Sequence, residues 1–301
     1  MRKFKIKDQV AQRLKKLENE STVPASVQPS PGASGPEESR EGAEPNECRI
    51  VWRSDIGKIR RNNQDCVILG CGLAGVADGM GGHNGGEIAS QGLRDGLLRE
   101  LAGKKPDGET LQLAVEKVNL ELWEKQNQDE SLSGMGTTLT VLWIAEKEMI
   151  IAQVGDSRAY LLRDGEMRQI TSDHSMVADL VRKGLLTEEQ AACHPMRNYI
   201  TRAVATESTI DVDLYTISRK AGDRWLICSD GLYGQITRGD LAELAAIEDM
   251  EEAASRLLDA ALDAGGRDNV SLVLVQDEQQ ELPEETPEPE TESAEDGGAM
   301  S

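Results

Sequence analysis

Aspartates stand at the ends of the short apolar runs in this chain. Asp78 ends LAGVAD and Asp230 ends WLICSD, and each is followed by glycine. Asp156 follows IIAQVG, Asp65 precedes CVIL, and Asp268 lies just before the run that starts at Val270. Apolar runs of this length read as strands, so five carboxylates sit at the margin of an apolar core. A carboxylate there is costly unless it is paired or bound to a cation. Few basic residues lie near these positions in sequence apart from Arg60, Arg61, Arg158 and Arg267. A cluster of carboxylate oxygens suits hard cations such as Mg²⁺ or Mn²⁺. Structural zinc is excluded, because no Cys/His set occurs at ligand spacing and His83, His174 and His194 are scattered. For any single position the competing reading is an Asp-Gly hairpin turn. After Asp78, however, GMGGHNGG is too long and too rich in glycine for a tight turn, and it leads into a helical pattern. Gly79, Gly81 and Gly82 read as backbone that closely approaches something such as an ion or a phosphate.

The remaining pattern sets the fold class. CVILG and LAGVAD are strands separated by Gly70 and Gly72. Helical patterns follow over 87–101 and 109–127, then the β-type runs TTLTVLWI, MIIAQVG and RAYLLR, with a tight turn at Asp164–Gly165. A helical stretch covers 175–184 and a capped short helix 187–192. Strands DVDLYTI and RWLICSD, helices over 240–246 and 249–264, and a last strand VSLVLVQ complete the order. Strands come as neighbouring hairpins and helices in pairs, which predicts an α+β domain of antiparallel sheets covered by helices rather than a parallel sheet.

This domain spans residues 48–276. Residues 1–47 form an N-terminal extension: a short basic stretch with Phe4, Val10, Leu14 and Leu17 on one helical face, then a Pro/Ser/Gly/Glu-rich linker read as disordered. The stretch reads either as a frayed, solvated helix or as a docking helix. Residues 277–301 carry ten acidic residues and no basic one, and are also read as disordered. The net charge of −21 argues against a nucleic-acid or anionic-membrane surface. Five cysteines without a CxxC pair suit free thiols in a reducing cytoplasm. Cys66 and Cys71 fall in apolar strand patterns and are read as core, not as nucleophiles. No apolar run approaches the ~18 residues of a membrane span, and no secretory signal is visible.

The segments SDIGKIRRNNQD (54–65), VADGMGGHNGG (76–86), GTTLT (136–140), VGDSRAYL (154–161), ITSDHS (170–175), HPMRNYITRAVA (194–205), LICSDGLYGQI (226–236) and GGRDNVSLVLV (265–275) occur in this order. Together they resemble the metal-dependent protein phosphatases of the protein phosphatase 2C type, in their bacterial form. The resemblance implies an antiparallel β-sandwich flanked by helix pairs, with a binuclear metal cleft and a flap over about 175–193. It implies a phosphatase for phosphoserine and phosphothreonine proteins, including a cognate kinase and its substrates, and the chain is read as a cytoplasmic monomer. Two Mn²⁺ or Mg²⁺ ions are implied, with a third, weaker site. By position, Asp78 would bridge the two ions, Asp230 and Asp268 would complete one site, and Asp65 with the carbonyl of Gly79 the other. Arg60 would grip the substrate phosphate, or else be an exposed arginine beside Arg61. Asp156 would belong to the third site, or else be a turn residue paired with Arg158. Asn269 would orient the Asp268 carboxylate, or else be a turn residue before a strand.

The chain departs from the family at Gln64, where many members carry Glu, at Met80, where eukaryotic members carry a proton-donating histidine, and at Ala205, where a glycine is common. The implied mechanism is direct attack on phosphorus by a hydroxide bridging the ions, in line with the serine or threonine oxygen and without a covalent phospho-enzyme.

Overall fold

The computed structural model describes residues 48–82 and 85–278. The expected basic helix and linker, the acidic tail from 279 on, and His83 lie outside the described residues. Among the described residues, eleven strands and seven α-helices follow the order β1 (Cys48–Asp55), β2 (Asp65–Gly70), β3 (Leu73–Met80), α1 (Gly85–Leu101), α2 (Gly108–Gln128), β4 (Gly136–Thr137), β5 (Leu139–Ile144), β6 (Glu148–Val154), β7 (Arg158–Arg163), β8 (Glu166–Gln169), α3 (Met176–Arg182), α4 (Glu188–Ala192), β9 (Asp213–Ser218), β10 (Arg224–Cys228), α5 (Asp230–Tyr233), α6 (Arg238–Ala245), α7 (Met250–Asp263) and β11 (Val270–Asp277).

The strands form two sheets with antiparallel neighbours. One has the order β1-β11-β10-β7-β8; the other runs β2-β3-β5-β6-β9, with β4 attached to β3. Their facing sides bury Val76, Leu142, Ile151, Trp225, Ile227 and Val273. Outside the second sheet, α1 and α2 pack Leu93, Leu97, Val115 and Val118 against Ile68, Val141 and Ile150. Outside the first, α6 and α7 pack Leu241, Ala253 and Leu257 against Leu226, Leu272 and Leu274. This four-layer order is the expected sandwich flanked by helix pairs.

Local chemistry sets the element ends. Asp107 caps α2 by accepting from the Thr110 N–H at 2.9 Å, Ser175 caps α3, and Thr187 with Gln190 forms a capping box on α4. Asp164 and Gly165, both with positive φ, make the expected turn between β7 and β8. The sequence reading did not include β1 or β8. Neither is a clean apolar run: β1 carries Arg49 and Arg53, and β8 is the polar EMRQ. Both are edge strands, held by pairing with β11 and β7. Cys66 is buried as expected, but Cys71 is exposed. Its apolar neighbours had placed it in a strand, whereas it sits in the β2–β3 turn with φ 54°.

Candidate metal centre

The antiparallel register of β2 and β3 sets Asp65 directly across from Asp78. In the other sheet, β10 ends at Cys228, Ser229 turns the chain, and Asp230 opens α5, while Asp268 precedes the neighbouring β11. The two sheet ends are stitched together. Ser229 Oγ donates to Asp65 Oδ2 at 2.8 Å and accepts from the Ser271 N–H at 3.0 Å. The Asp78 and Asp230 carboxyls are close enough for the charge of Asp230 to raise the Asp78 pKa. Arg60 Nη2 donates to Asp268 Oδ2 at 2.7 Å from an exposed loop. Asp156 lies between β6 and β7, buried at 4% exposure.

The charges of these groups act on one another. Burial pushes the Asp65 carboxyl up to about 7, and Asp230 and Asp268 add to the rise against hydrogen bonds from Ser229 and Ser271. Burial, then Asp65, Asp230, Asp156 and Asp268, hold Asp78 well above the carboxylate range. Burial and then Asp268 raise Asp230 to about 6. Burial, then Asp230 and Asp173, raise Asp156 to about 8. One acidic cluster therefore contains all five aspartates picked out by the sequence. Two of its buried oxygens, Asp65 Oδ1 and Asp156 Oδ1, have no hydrogen-bond partner.

Among the described residues, no three Asp, Glu, His or Cys side chains stand where they could hold one ion together as they lie here. Asp268 is turned to Arg60 and Asp65 to Ser229. The donor set nonetheless fits hard cations: it is all oxygen, its members repel one another, and two buried oxygens lack partners.

The reading of Asp156 as the partner of Arg158 does not hold. Arg158 grips Asp173 through Nε and Nη2 and lies over the Tyr233 ring, 3.7 Å from its centroid. Tyr233 donates instead to the backbone carbonyl of Asp156 at 2.9 Å. Asn269 meets neither expectation fully. Its backbone N–H, not its side chain, donates to Asp268 Oδ1 at 2.8 Å. Its side chain accepts from the Gln64 N–H at 2.9 Å and donates to the carbonyls of Ile56 and Asn62. It thereby clamps the loop that carries Arg60 and leads into Asp65.

Gly79 is compelled by the chain itself. A Cβ there would lie 2.2 Å from the Gly86 carbonyl oxygen and 2.5 Å from that of Gln64. Gly82, by contrast, faces open space, so this loop's glycines are not all close-approach positions. The Gln64 backbone ties β3 and α1 together, its carbonyl accepting from the Gly79 N–H and from Ser90 Oγ. Met80 is part-buried beside Gly136 and offers no titratable proton. Ala205 has φ 70°, a left-handed backbone that favours glycine, which accounts for the family's usual residue there. Sequence reasoning missed Thr137 and Thr138, which hold the Asp78 backbone: Thr138 Oγ1 accepts its N–H at 2.9 Å, while Thr137 Oγ1 and the Thr138 N–H donate to its carbonyl. It also missed Ser229 as the link between the sheets. All three lie inside the quoted GTTLT and LICSDG segments, where only the contact, not the residue, was hidden.

Comparison with known proteins identifies the family. The profile of the family described as protein phosphatase 2C matches residues 61–274. The chain is 42% identical over 229 residues to the serine/threonine protein phosphatase PstP of Mycobacterium tuberculosis, covering 75% of this chain and 44% of that protein. It is 34% identical over 243 residues to the serine/threonine phosphatase stp of Listeria innocua, covering 75% of this chain and 94% of that one. The crystal structure of M. tuberculosis PstP/Ppp superposes with a TM-score of 0.73 at 40% identity, over 77% of this chain and 99% of that chain. A PstP catalytic domain in complex with two manganese ions superposes at 0.71 with 38% identity, over 77% of this chain and 99% of that chain. The match thus spans less than half the length of full PstP. With the family profile running from β2 to β11 and the acidic cluster in place, the chain belongs to the protein phosphatase 2C family.

Proposed function

We propose that this chain is a metal-dependent protein serine/threonine phosphatase that hydrolyses phosphoserine and phosphothreonine monoesters in other proteins. The observation that supports it most is the convergence of Asp65, Asp78, Asp230 and Asp268 from strand ends of both sheets, beside the exposed Arg60. Among the described residues no helix is long and apolar enough to cross a membrane. The reading extends to a cytoplasmic monomer whose substrates include a cognate kinase and that kinase's targets.

Asp65, Asp78, Asp230, Asp268 and the carbonyl of Gly79 would hold two Mn²⁺ or Mg²⁺ ions, and Asp156 a third, weaker one. Such ions, when bound, supply Lewis acidity and a water acidic enough to ionise near neutral pH. The residues of the chain then have separate tasks. Arg60 is exposed and can exchange Asp268 for a phosphate, to which a guanidinium donates two parallel hydrogen bonds. That exchange also frees the Asp268 carboxylate for a cation. As charge spreads over the equatorial phosphoryl oxygens, Arg60 stabilises it. Met80 cannot protonate the departing alkoxide, so water supplies that proton. No cysteine serves as nucleophile at the cluster: burial pushes the Cys228 thiol up to about 12, and Cys66, also buried, is raised too.

Hydrolysis of an aryl phosphate and of a phosphothreonine peptide, each with Mn²⁺, with Mg²⁺ and with chelator, tests the reading on wild type and Asp230→Asn. Metal-dependent turnover that collapses in Asp230→Asn is expected. A folded wild type inert towards both substrates with every divalent metal would refute it.

A further inference from the structure

In a chain of net charge −21, one rim of the acidic cleft is basic. Lys58, Arg60 and Arg61 stand on the loop between β1 and β2, and Arg267 stands in the turn before β11; all four are exposed. The two segments run against each other. The Lys58 N–H donates to the Gly266 carbonyl at 2.7 Å, and a Cβ on Gly57 would lie 2.2 Å from the Asp268 carbonyl oxygen. Arg60 is engaged by Asp268 at 2.7 Å. The other three cations are nearly unanswered. Among the described residues, Lys58 has only a 3.7 Å pair with Asp263, itself 86% exposed. The nearby Asp55 is turned to the loop backbone, accepting from the Gly57 N–H at 2.7 Å. Among the described residues, no ion pair or side-chain hydrogen bond occupies Arg61 or Arg267.

Along the backbone these cations adjoin Arg60, the group assigned to the scissile phosphate, and its partner Asp268. Arg61 is one Cα step, about 3.8 Å, from Arg60, and Arg267 is one step from Asp268. In an extended peptide, a residue two or three positions from the phosphorylated one lies about 7–10 Å away along the chain. An unpaired basic rim on a strongly acidic molecule favours an anionic partner and repels a cationic one. We propose that Arg61 and Arg267, with Lys58, form a subsite for a second anionic group of the substrate: a carboxylate or second phosphate two or three residues from the phosphorylated serine or threonine. This rests on the phosphatase reading above. Selection acts through binding, so it enters KM and leaves kcat nearly unchanged.

The test uses the full chain with Mn²⁺ and phosphothreonine peptides that differ at one position, three residues from the phosphothreonine: Ala, Glu, phosphoserine or Lys. An aryl phosphate serves as the small substrate without flanking residues. Wild type should prefer Glu over Ala by about fivefold in kcat/KM, with phosphoserine preferred further and Lys disfavoured. The preference should fade towards ~1 M salt, where the Debye length is ~3 Å. Arg61→Glu with Arg267→Glu should invert the order in favour of Lys and leave aryl phosphate turnover and thermal midpoint unchanged. A better Glu peptide without a further gain from phosphoserine assigns the subsite to carboxylates, and the converse assigns it to phosphates. Equal kcat/KM across the peptides, or a preference that survives the double reversal, overturns the subsite while aryl phosphate turnover keeps the phosphatase reading intact. No turnover of any substrate with Mn²⁺ overturns both.

Discussion

Asn269→Ala isolates the clamp on the Arg60 loop. The side chain is 5% exposed. It accepts from the Gln64 N–H at 2.9 Å and donates to the Ile56 and Asn62 carbonyls at 2.9 and 3.0 Å. Truncation strands the Gln64 N–H, because Gln64 is itself only 8% exposed; a buried unsatisfied donor costs about 1–3 kcal/mol. Ile56 is 38% exposed and Asn62 part-exposed, so water can serve those carbonyls, and their loss costs roughly 0.5 kcal/mol each. The sum is about 2–4 kcal/mol, or about 4–16 °C in Tm for a domain of this size. Asn269→Asp is the sharper variant. It keeps the shape and the acceptor for Gln64 but turns a carboxylate towards two carbonyls and adds charge beside Asp268. It should therefore cost more than Asn269→Ala, although it removes fewer atoms. Urea denaturation with an unchanged m-value gives the comparison, and the same samples should show a raised KM for phosphopeptide as Arg60 loses its support. An Asn269→Asp variant as stable as wild type, or an alanine cost under ~1 kcal/mol, would refute the clamp.

Ion-free protein should lose stability as pH rises from 6.5 to 8. Asp65 and Asp156, raised to about 7 and 8, bind more protons folded than unfolded in that window; each contributes up to ~1.4 kcal/mol per pH unit. His174, whose pKa is lowered by burial, opposes this only below its ordinary value; urea midpoints in chelator that rise with pH would contradict the assignment. Adding Mn²⁺ at pH 8 should raise Tm and flatten that dependence, and Asp78→Asn should weaken the metal-induced rise, both read by thermal melts. Ala205→Gly should be near neutral. Relief of about 1–2 kcal/mol of left-handed strain offsets a buried methyl of about 0.8 kcal/mol and a backbone entropy cost of about 0.5–1 kcal/mol; a loss above ~2 kcal/mol in urea denaturation would show that the strain is absent. Asp277→Ala, far from the cleft, removes the carboxylate from a buried ion pair with Arg219 (1% and 0% exposed) and should cost about 3–5 kcal/mol in the same assay, with aryl phosphate turnover of the folded fraction unchanged.

What was legible in the sequence was whatever depends on neighbours along the chain. Asp78 and Asp230 showed themselves because each closes an apolar run, and such runs end where a strand leaves the core. The Asp164–Gly165 turn and the Thr187 cap are equally local. Pairings across long separations were not legible. Arg158 sits two residues from Asp156, so proximity in sequence suggested that pair, yet the guanidinium folds onto Asp173. Asp277 was counted with the acidic tail because acidic residues follow it, yet it is the last residue of β11 and lies buried against Arg219. Cys71 was misplaced because apolar neighbours mark a strand only until the backbone turns, and φ 54° is invisible in composition.

The fold has a way of neutralising buried aspartates, and it does not use it in the cleft. Asp173, Asp223 and Asp277 are each 9% exposed or less, and each is held by an arginine: Arg158, Arg163 and Arg219. Asp65, Asp78, Asp156 and Asp230 have no such arginine partner among the described residues, although they press on one another. Their surroundings are not poorly made. The Asp78 backbone is satisfied on both sides by Thr137 and Thr138, the Asp156 carbonyl is served by Tyr233, and Ser229 braces Asp65. Apart from the Ser229 hydroxyl on Asp65 Oδ2, donors are thus supplied to the backbone rather than to these carboxylates, leaving Asp65 Oδ1 and Asp156 Oδ1 bare. A purely structural cluster would gain by pairing these groups, because an unpaired buried charge is among the costliest features a core can carry. Leaving them unpaired lowers stability in the ion-free state and preserves affinity for cations. Inserting an arginine opposite Asp156 should therefore stabilise the ion-free protein and remove only the share of the Mn²⁺-induced rise in Tm that the third, weaker ion supplies.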